Sequence, residues 1–129
     1  MPEWIDKEAG GITERPIEPT TYFNSLDEFV RDFVCPVFRR NVGETGRAEY
    51  RWAARWWVSA EATIRLEAMW RSWEQARLDP ATGISAWLRD HADHHLGILM
   101  SPNGPFATSR DTSTTDQPLP YEPPPTGLF

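Results

Sequence analysis

The sequence predicts an all-α protein, a small domain of three to four helices with a tryptophan-rich core and disordered tails. Three observations lead there: apolar residues recur at helical spacing in the middle of the chain, helix-capping signals stand ahead of those stripes, and no segment alternates as a strand would. Six of the seven tryptophans sit in the periodic middle of the chain, so the rings read first as core filling. A chain of 129 residues has room for one domain, and the tails reduce its foldable part to roughly ninety residues. The division is therefore an acidic N-terminal tail at 1–20, a helical domain at 21–106 and a Pro/Ser/Thr-rich tail at 107–129.

The first helix should start at Ser25, Leu26, Asp27, Glu28. This is a capping box, in which the serine hydroxyl accepts from the Glu28 N–H and the glutamate reaches back. Leu26, Phe29, Val30, Phe33 and Val37 then form one apolar stripe. Pro36 should kink or end that helix, because it has no N–H and crowds the carbonyl four residues earlier. Residues 39–46 read as a loop. From Arg47 the pattern turns helical through Tyr50, Trp52, Ala53, Trp56 and Trp57, and Ser59 is an N-cap for a fresh start. Residues 60–78 are the clearest helix. Ala62, Leu66, Met69, Trp70 and Trp73 share one face, with Glu61, Arg65, Arg71, Glu74 and Arg77 largely off it. Glu61 and Arg77 suit the helix dipole, and Asp79 before Pro80 supplies the stop. Ser85 caps the next helix, whose inner side takes Leu88, Ala92, His95 or Leu96, and Leu99, with Trp87 beside them. That helix ends at Ser101, Pro102, Asn103, Gly104 in a turn, and Phe106 folds back to close the core.

The net charge of -6 belongs to the tails, since five acidic and two basic residues fall within the first twenty positions and the middle is close to neutral. Nucleic acid is therefore not excluded by charge. The single cysteine, Cys35, allows no intramolecular disulfide and no zinc site built on several thiolates, and a reducing compartment follows. No leader-like segment and no run of about twenty apolar residues is present, so the reading is cytoplasmic, with no membrane partner.

The string RWAARWWVSAEATIRLEAMWRSWEQARLD, followed by ISAWLRDHADHHLGILMSPNGPFA, resembles the family known as domain of unknown function 4913. The resemblance spans residues 22–108. It is carried by the spacing of Trp52, Trp56, Trp57, Glu61, Arg65, Leu66, Trp70, Trp73, Glu74, Trp87, His91 and the run Gly104, Pro105, Phe106. It implies small actinobacterial proteins of chromosomes, conjugative elements and phages, and it carries no biochemical function. Many relatives have Cys after the first Trp, His before the Ala-Glu pair and Cys after Gly-Pro-Phe, a set that with the third motif's histidines implies a zinc site. Here those places hold Ala53, Ser59 and Thr108, and the resemblance then implies that this chain has none.

His91 and His95, four residues apart on a predicted helix, are weak candidates for a metal pair. No third ligand is fixed by spacing, and a packing or capping role is the plainer reading. Arg39, Arg40, Arg47, Arg51 and Arg55 make the chain's basic patch, interleaved with Trp52, Trp56 and Trp57 as a single-strand binder would arrange guanidinium and ring faces. The plainer alternative is core rings beside solvent-facing arginines. Glu61 with Arg65 and Glu67 with Arg71 read as helix-stabilising pairs rather than catalytic carboxylates. No nucleophile has a base fixed beside it, so the chain is not expected to be an enzyme or to need a cofactor. The tail motif, with Tyr121 inside a proline cluster and Leu128 and Phe129 at the end, suits an aromatic groove. The functional expectation is a non-enzymatic protein-interaction module of a mobile-element or phage type, able to self-associate. The alternative is a nucleic-acid-binding accessory protein that uses the segment 39–55.

Overall fold

In the computed structural model the residues described are 20–43 and 50–129. Among them there are three helical stretches and one 3-10 turn, with no strand. The first stretch, α1 (residues 26–37), is Leu26–Phe29, a π-helical turn at Val30–Val34, and Cys35–Val37. Ser25 caps it as its side chain predicts, accepting from the Glu28 N–H at 3.1 Å. The glutamate reaches one residue further back than a capping box requires, to the Asn24 N–H at 3.3 Å. Ahead of Pro36 the hydrogen bond widens, with the Cys35 N–H given to the Val30 carbonyl. The extra residue in that turn moves the inner face round the axis. Val34 and Cys35 therefore go inside and Val37 ends 53% exposed, which corrects its place in the predicted stripe.

The helix expected from Arg47 does not form over residues 50–55. Their backbone groups find partners far along the chain instead: Arg51 N–H on the Met100 carbonyl at 2.9 Å, and Ala54 N–H on the Asp111 carboxylate at 2.7 Å. Only Trp56–Val58 winds into a 3-10 turn. Ser59 then starts α2 (Ala60–Ala76) by accepting from the Ala62 N–H at 3.1 Å. Ala62, Leu66 and Met69 are buried on its inner face, while Trp70 and Trp73 are half-buried against the core.

The third stretch, α3 (residues 83–99), is Gly83–Trp87, a second π-helical turn at Leu88–Ala92, and Asp93–Leu99. It starts at Gly83 and not at Ser85, which lies inside it without capping. A β-carbon on Gly83 would stand 2.0 Å from the Ala76 carbonyl oxygen, so only glycine lets α3 begin against the end of α2. The π turn shifts the register here too. Trp87 and Ala92 face inward, and Leu88, expected inside, is 37% exposed. The Trp87 indole N–H donates to the Met69 carbonyl at 3.1 Å and to Ser72 Oγ at 2.9 Å. The turn at Ser101 forms as predicted, with the Gly104 N–H on the Ser101 carbonyl. Phe106 closes the core edge-on to Trp52, ring centroids 5.1 Å apart.

The C-terminal stretch 107–129 keeps the extended, irregular backbone its prolines favour, but it is not free of the domain, and the boundary drawn at 106 is corrected. Leu119 is buried with its N–H on the Cys35 carbonyl at 3.0 Å, and the Glu122 N–H meets the Ala54 carbonyl at 3.1 Å. Two indoles secure this strap: Trp52 Nε1 donates to the Pro120 carbonyl at 3.0 Å and Trp57 Nε1 to the Glu122 carbonyl at 3.1 Å. Proline carbonyls keep their acceptor capacity, which tryptophan N–H groups satisfy at no cost to a helix ladder. The predicted N-terminal tail lies almost wholly outside the described residues.

Candidate partner-binding groove

The segment ahead of α1 is tied down by one carboxylate. Glu74, expected off the inner face, is only 10% exposed at its side chain. It accepts from the Tyr22 and Phe23 N–H groups at 2.8 and 2.9 Å, from Trp70 Nε1 at 3.0 Å and from Arg77 Nε at 2.8 Å. Burial works against its charge, yet the Phe23 and Tyr22 N–H groups, with Arg77 and Trp70, outweigh it and hold the carboxyl below its ordinary value. The clamp sets Tyr22 and Phe23 beside Trp73, with centroids 5.8 and 5.2 Å from its ring.

The result is an open groove of about 600 Å³ lined by Tyr22, Phe23, Phe33, Trp73, Glu28 and Asp32. Phe33 lies 5.2 Å from Trp73, so the floor is a continuous set of rings. Tyr22 stands 66% exposed on one side. Asp32 is answered by its neighbour Arg31, whose Nε and Nη2 donate at 2.8 and 2.7 Å, and that guanidinium holds the Asp32 carboxyl down. Glu28 receives only the Asn24 amide groups and makes no ion pair among the described residues. Along residues 27–32 three carboxylates, Asp27, Glu28 and Asp32, face one arginine, Arg31. The sequence gives these residues ordinary structural roles, as a cap and as core rings; the aromatic pair ahead of the cap was the available signal.

Among the described residues, the arginines of the predicted surface are spread over separate local contacts. Arg39 donates to the Pro36 carbonyl at 2.9 Å and to the Asp116 carbonyl at 3.1 Å, pinning the strap. Arg40 lies 5.7 Å over Tyr50. Arg55 lies 5.1 Å over Trp57 and 3.5 Å from the Glu122 carboxylate. Arg51 is half-buried, and Arg47 lies outside the described residues. Trp52 and Trp56 have no exposed surface, so neither offers a face to a base. In the tail motif, Tyr121 donates its hydroxyl to Asp27, Phe129 packs 5.2 Å from Trp56, and Leu128 stays exposed. This tail is thus seated on its own domain.

His95 accepts at Nδ1 from Arg65 Nη1, 3.1 Å away, because a guanidinium can only donate. Burial first, then Arg65 and the neighbouring histidines, push its pKa down. His91 is exposed. Among the described residues no three His, Cys, Asp or Glu side chains are placed to share a metal ion. Ala53, Ser59 and Thr108 line a single cavity of about 340 Å³ near Phe106, which none of the histidines lines. Glu61 and Glu67 make their predicted pairs with Arg65 and Arg71, each at 2.9 Å. The Cys35 thiol is buried and its pKa is pushed up to about 12 by burial and by Asp27. No helix among the described residues is long and apolar enough to cross a membrane.

No curated protein and no solved structure matches the chain significantly. One family does match, described as Domain of unknown function (DUF4913), over residues 23–125, a span that takes in the groove's α1 and α2 rings and most of the strap. That match covers well over half of the sequence, and the protein belongs to this family of unknown function.

Proposed function

We propose that the protein is a non-enzymatic interaction module, of the mobile-element or phage type its sequence resemblance implies, and that it binds another protein through the groove between the leading segment, α1 and α2. The observation that carries this reading is a groove in which Tyr22 stands exposed and Phe33 and Trp73 are only partly covered, over the buried Phe23, although the same chain encloses Trp52, Trp56 and Trp87 completely. Exposed aromatic ground with a polar rim is what partner surfaces use for anchoring. The chemistry of the remaining groups supports a binding role. The Cys35 thiol is too hard to ionise to serve as a nucleophile, Ser59 is spent on its cap, and the glutamates of α2 are engaged in ion pairs.

A photo-crosslinking amino acid placed at Tyr22 tests the reading, with the same group at Ile64, which is 70% exposed and outside the groove. In lysate of the native host, position 22 should give a discrete protein adduct and position 64 should not. Adducts from both positions, or from neither, would overturn the assignment of the partner surface.

A further inference from the structure

We infer that the groove's occupant is an arginine side chain presented by an extended segment of the partner; this rests on the reading of the groove as a partner site. Two independent features converge on a flat cation. Tyr22, Phe33 and Trp73 line the groove, and aromatic faces carry negative quadrupole potential that attracts a cation placed within about 6 Å of a centroid. The rim carries Glu28 and Asp32. Asp32 already holds the fork of Arg31, while the Glu28 carboxylate is met only by a backbone N–H and an amide at 3.3 and 3.4 Å. These bonds are long for a carboxylate, and a guanidinium would improve on both.

Arginine fits this arrangement better than lysine for a geometric reason. Its planar guanidinium stacks on a ring and simultaneously presents paired N–H donors to a carboxylate, whereas an ammonium is a compact, strongly hydrated point charge. The protein makes this contact elsewhere in its own surface: Arg71 lies 5.5 Å over Trp70 and Arg55 lies 5.1 Å over Trp57, each also within 3.5 Å of a glutamate oxygen. The groove repeats the ring and the carboxylate, and among the described residues no arginine lies over Trp73. The first twenty positions hold five acidic residues against two basic ones, so their net charge has the same sign as the rim's.

The probe is the tripeptide acetyl-Gly-Arg-Gly-amide, titrated into the full chain while the Trp73 and Tyr22 resonances are followed by NMR, with the citrulline tripeptide as the neutral isostere. The arginine peptide should shift both residues saturably at about millimolar concentration, and the citrulline peptide should not. Glu28→Gln keeps the cap acceptor, and with Asp32→Asn it should weaken binding about fivefold to tenfold. Tyr22→Ser, at an exposed site, should weaken it about threefold. Raising salt should weaken it further. Equal shifts from arginine and citrulline, or no loss in the folded Glu28→Gln/Asp32→Asn chain, would overturn the proposal. If the tripeptide gives no shift while position 22 still crosslinks a partner, the occupant is wrong and the groove stands; if both fail, both readings fall.

Discussion

Single residues carry unusual weight where one side chain or one hydrogen atom joins distant parts of the chain. Glu74 holds four donors, two of them backbone N–H groups of the leading segment. Replacing it with alanine leaves those donors without an acceptor and should cost about 3 kcal/mol, read as a lower urea midpoint at neutral pH. The Gln variant keeps one acceptor oxygen and should fall between. Because Glu74 positions Tyr22 and Phe23, the Ala variant should also lose the proposed groove while leaving the Trp52 to Pro120 bond intact. Gly83 is the second such residue. Its β-carbon would overlap the Ala76 carbonyl, which is rigid backbone, so Gly83→Ala should destabilise by about 2 kcal/mol or more although alanine is the better helix former. An unchanged melting temperature for that variant would show that α3 can begin elsewhere.

At the scale of elements, α1 and α2 begin at caps visible in the sequence, whereas α3 begins at Gly83 with no side-chain cap. Ser25 and Ser59 cap as their spacing requires, and the glutamate–arginine pairs of α2 form at the predicted separation. The interior register is another matter. Each π turn inserts one residue, which puts Val34 and Cys35 inside in place of Val37 and Trp87 inside in place of Leu88. A regular helical wheel cannot anticipate that shift. The strap makes a testable contrast with a free tail. The amides of Leu119 and Glu122, bonded to Cys35 and Ala54, should exchange with solvent far more slowly than that of Asp116, which is held only by a threonine hydroxyl two residues away. Leu119→Ala should cost about 2–4 kcal/mol, as a buried leucine does.

For the whole molecule, the titrating groups define a pH window. Glu74 is held below its ordinary 4.5 and His95 below its ordinary 6.5. In both cases the unfolded chain takes up the proton first as pH falls, so His95 removes stability from about 6.5 downward and Glu74 from about 4.5 downward. Cys35 is raised from 9.0 to about 12, so the unfolded chain ionises first as pH rises, and stability declines above about 9. Urea midpoints measured against pH should therefore plateau between these limits. His95→Gln should flatten the limb just below 6.5, and Cys35→Ser the start of the alkaline limb between about 9 and 10, above which Tyr121, raised from its ordinary 10 by burial and by Asp27, adds its own loss; a wild-type profile flat from 5 to 11 would contradict both. On the same scale, the burial of Trp52 and Trp56 predicts that labelled single-stranded oligonucleotides bind no more tightly to wild type than to the Arg51→Ala/Arg55→Ala chain at low salt. A steep salt dependence lost in that variant would restore the nucleic-acid alternative.

The sequence by itself determined the helical class, the ends of the principal helix, the caps Ser25 and Ser59 though not Ser85, the ion pairs of α2 and the closure by Phe106, because each depends on neighbours a few residues away or on a strong apolar ring with nowhere else to go. Tertiary structure alone decided that residues 50–55 stay out of a helix, that the proline-rich strap docks on Trp52 and Trp57, and that Tyr22, Phe33 and Trp73 form a groove. Those outcomes turn on competition among partners more than fifty residues apart, such as Ala54 with Asp111 and Glu74 with Tyr22. No local periodicity records which of two distant groups will satisfy a backbone N–H.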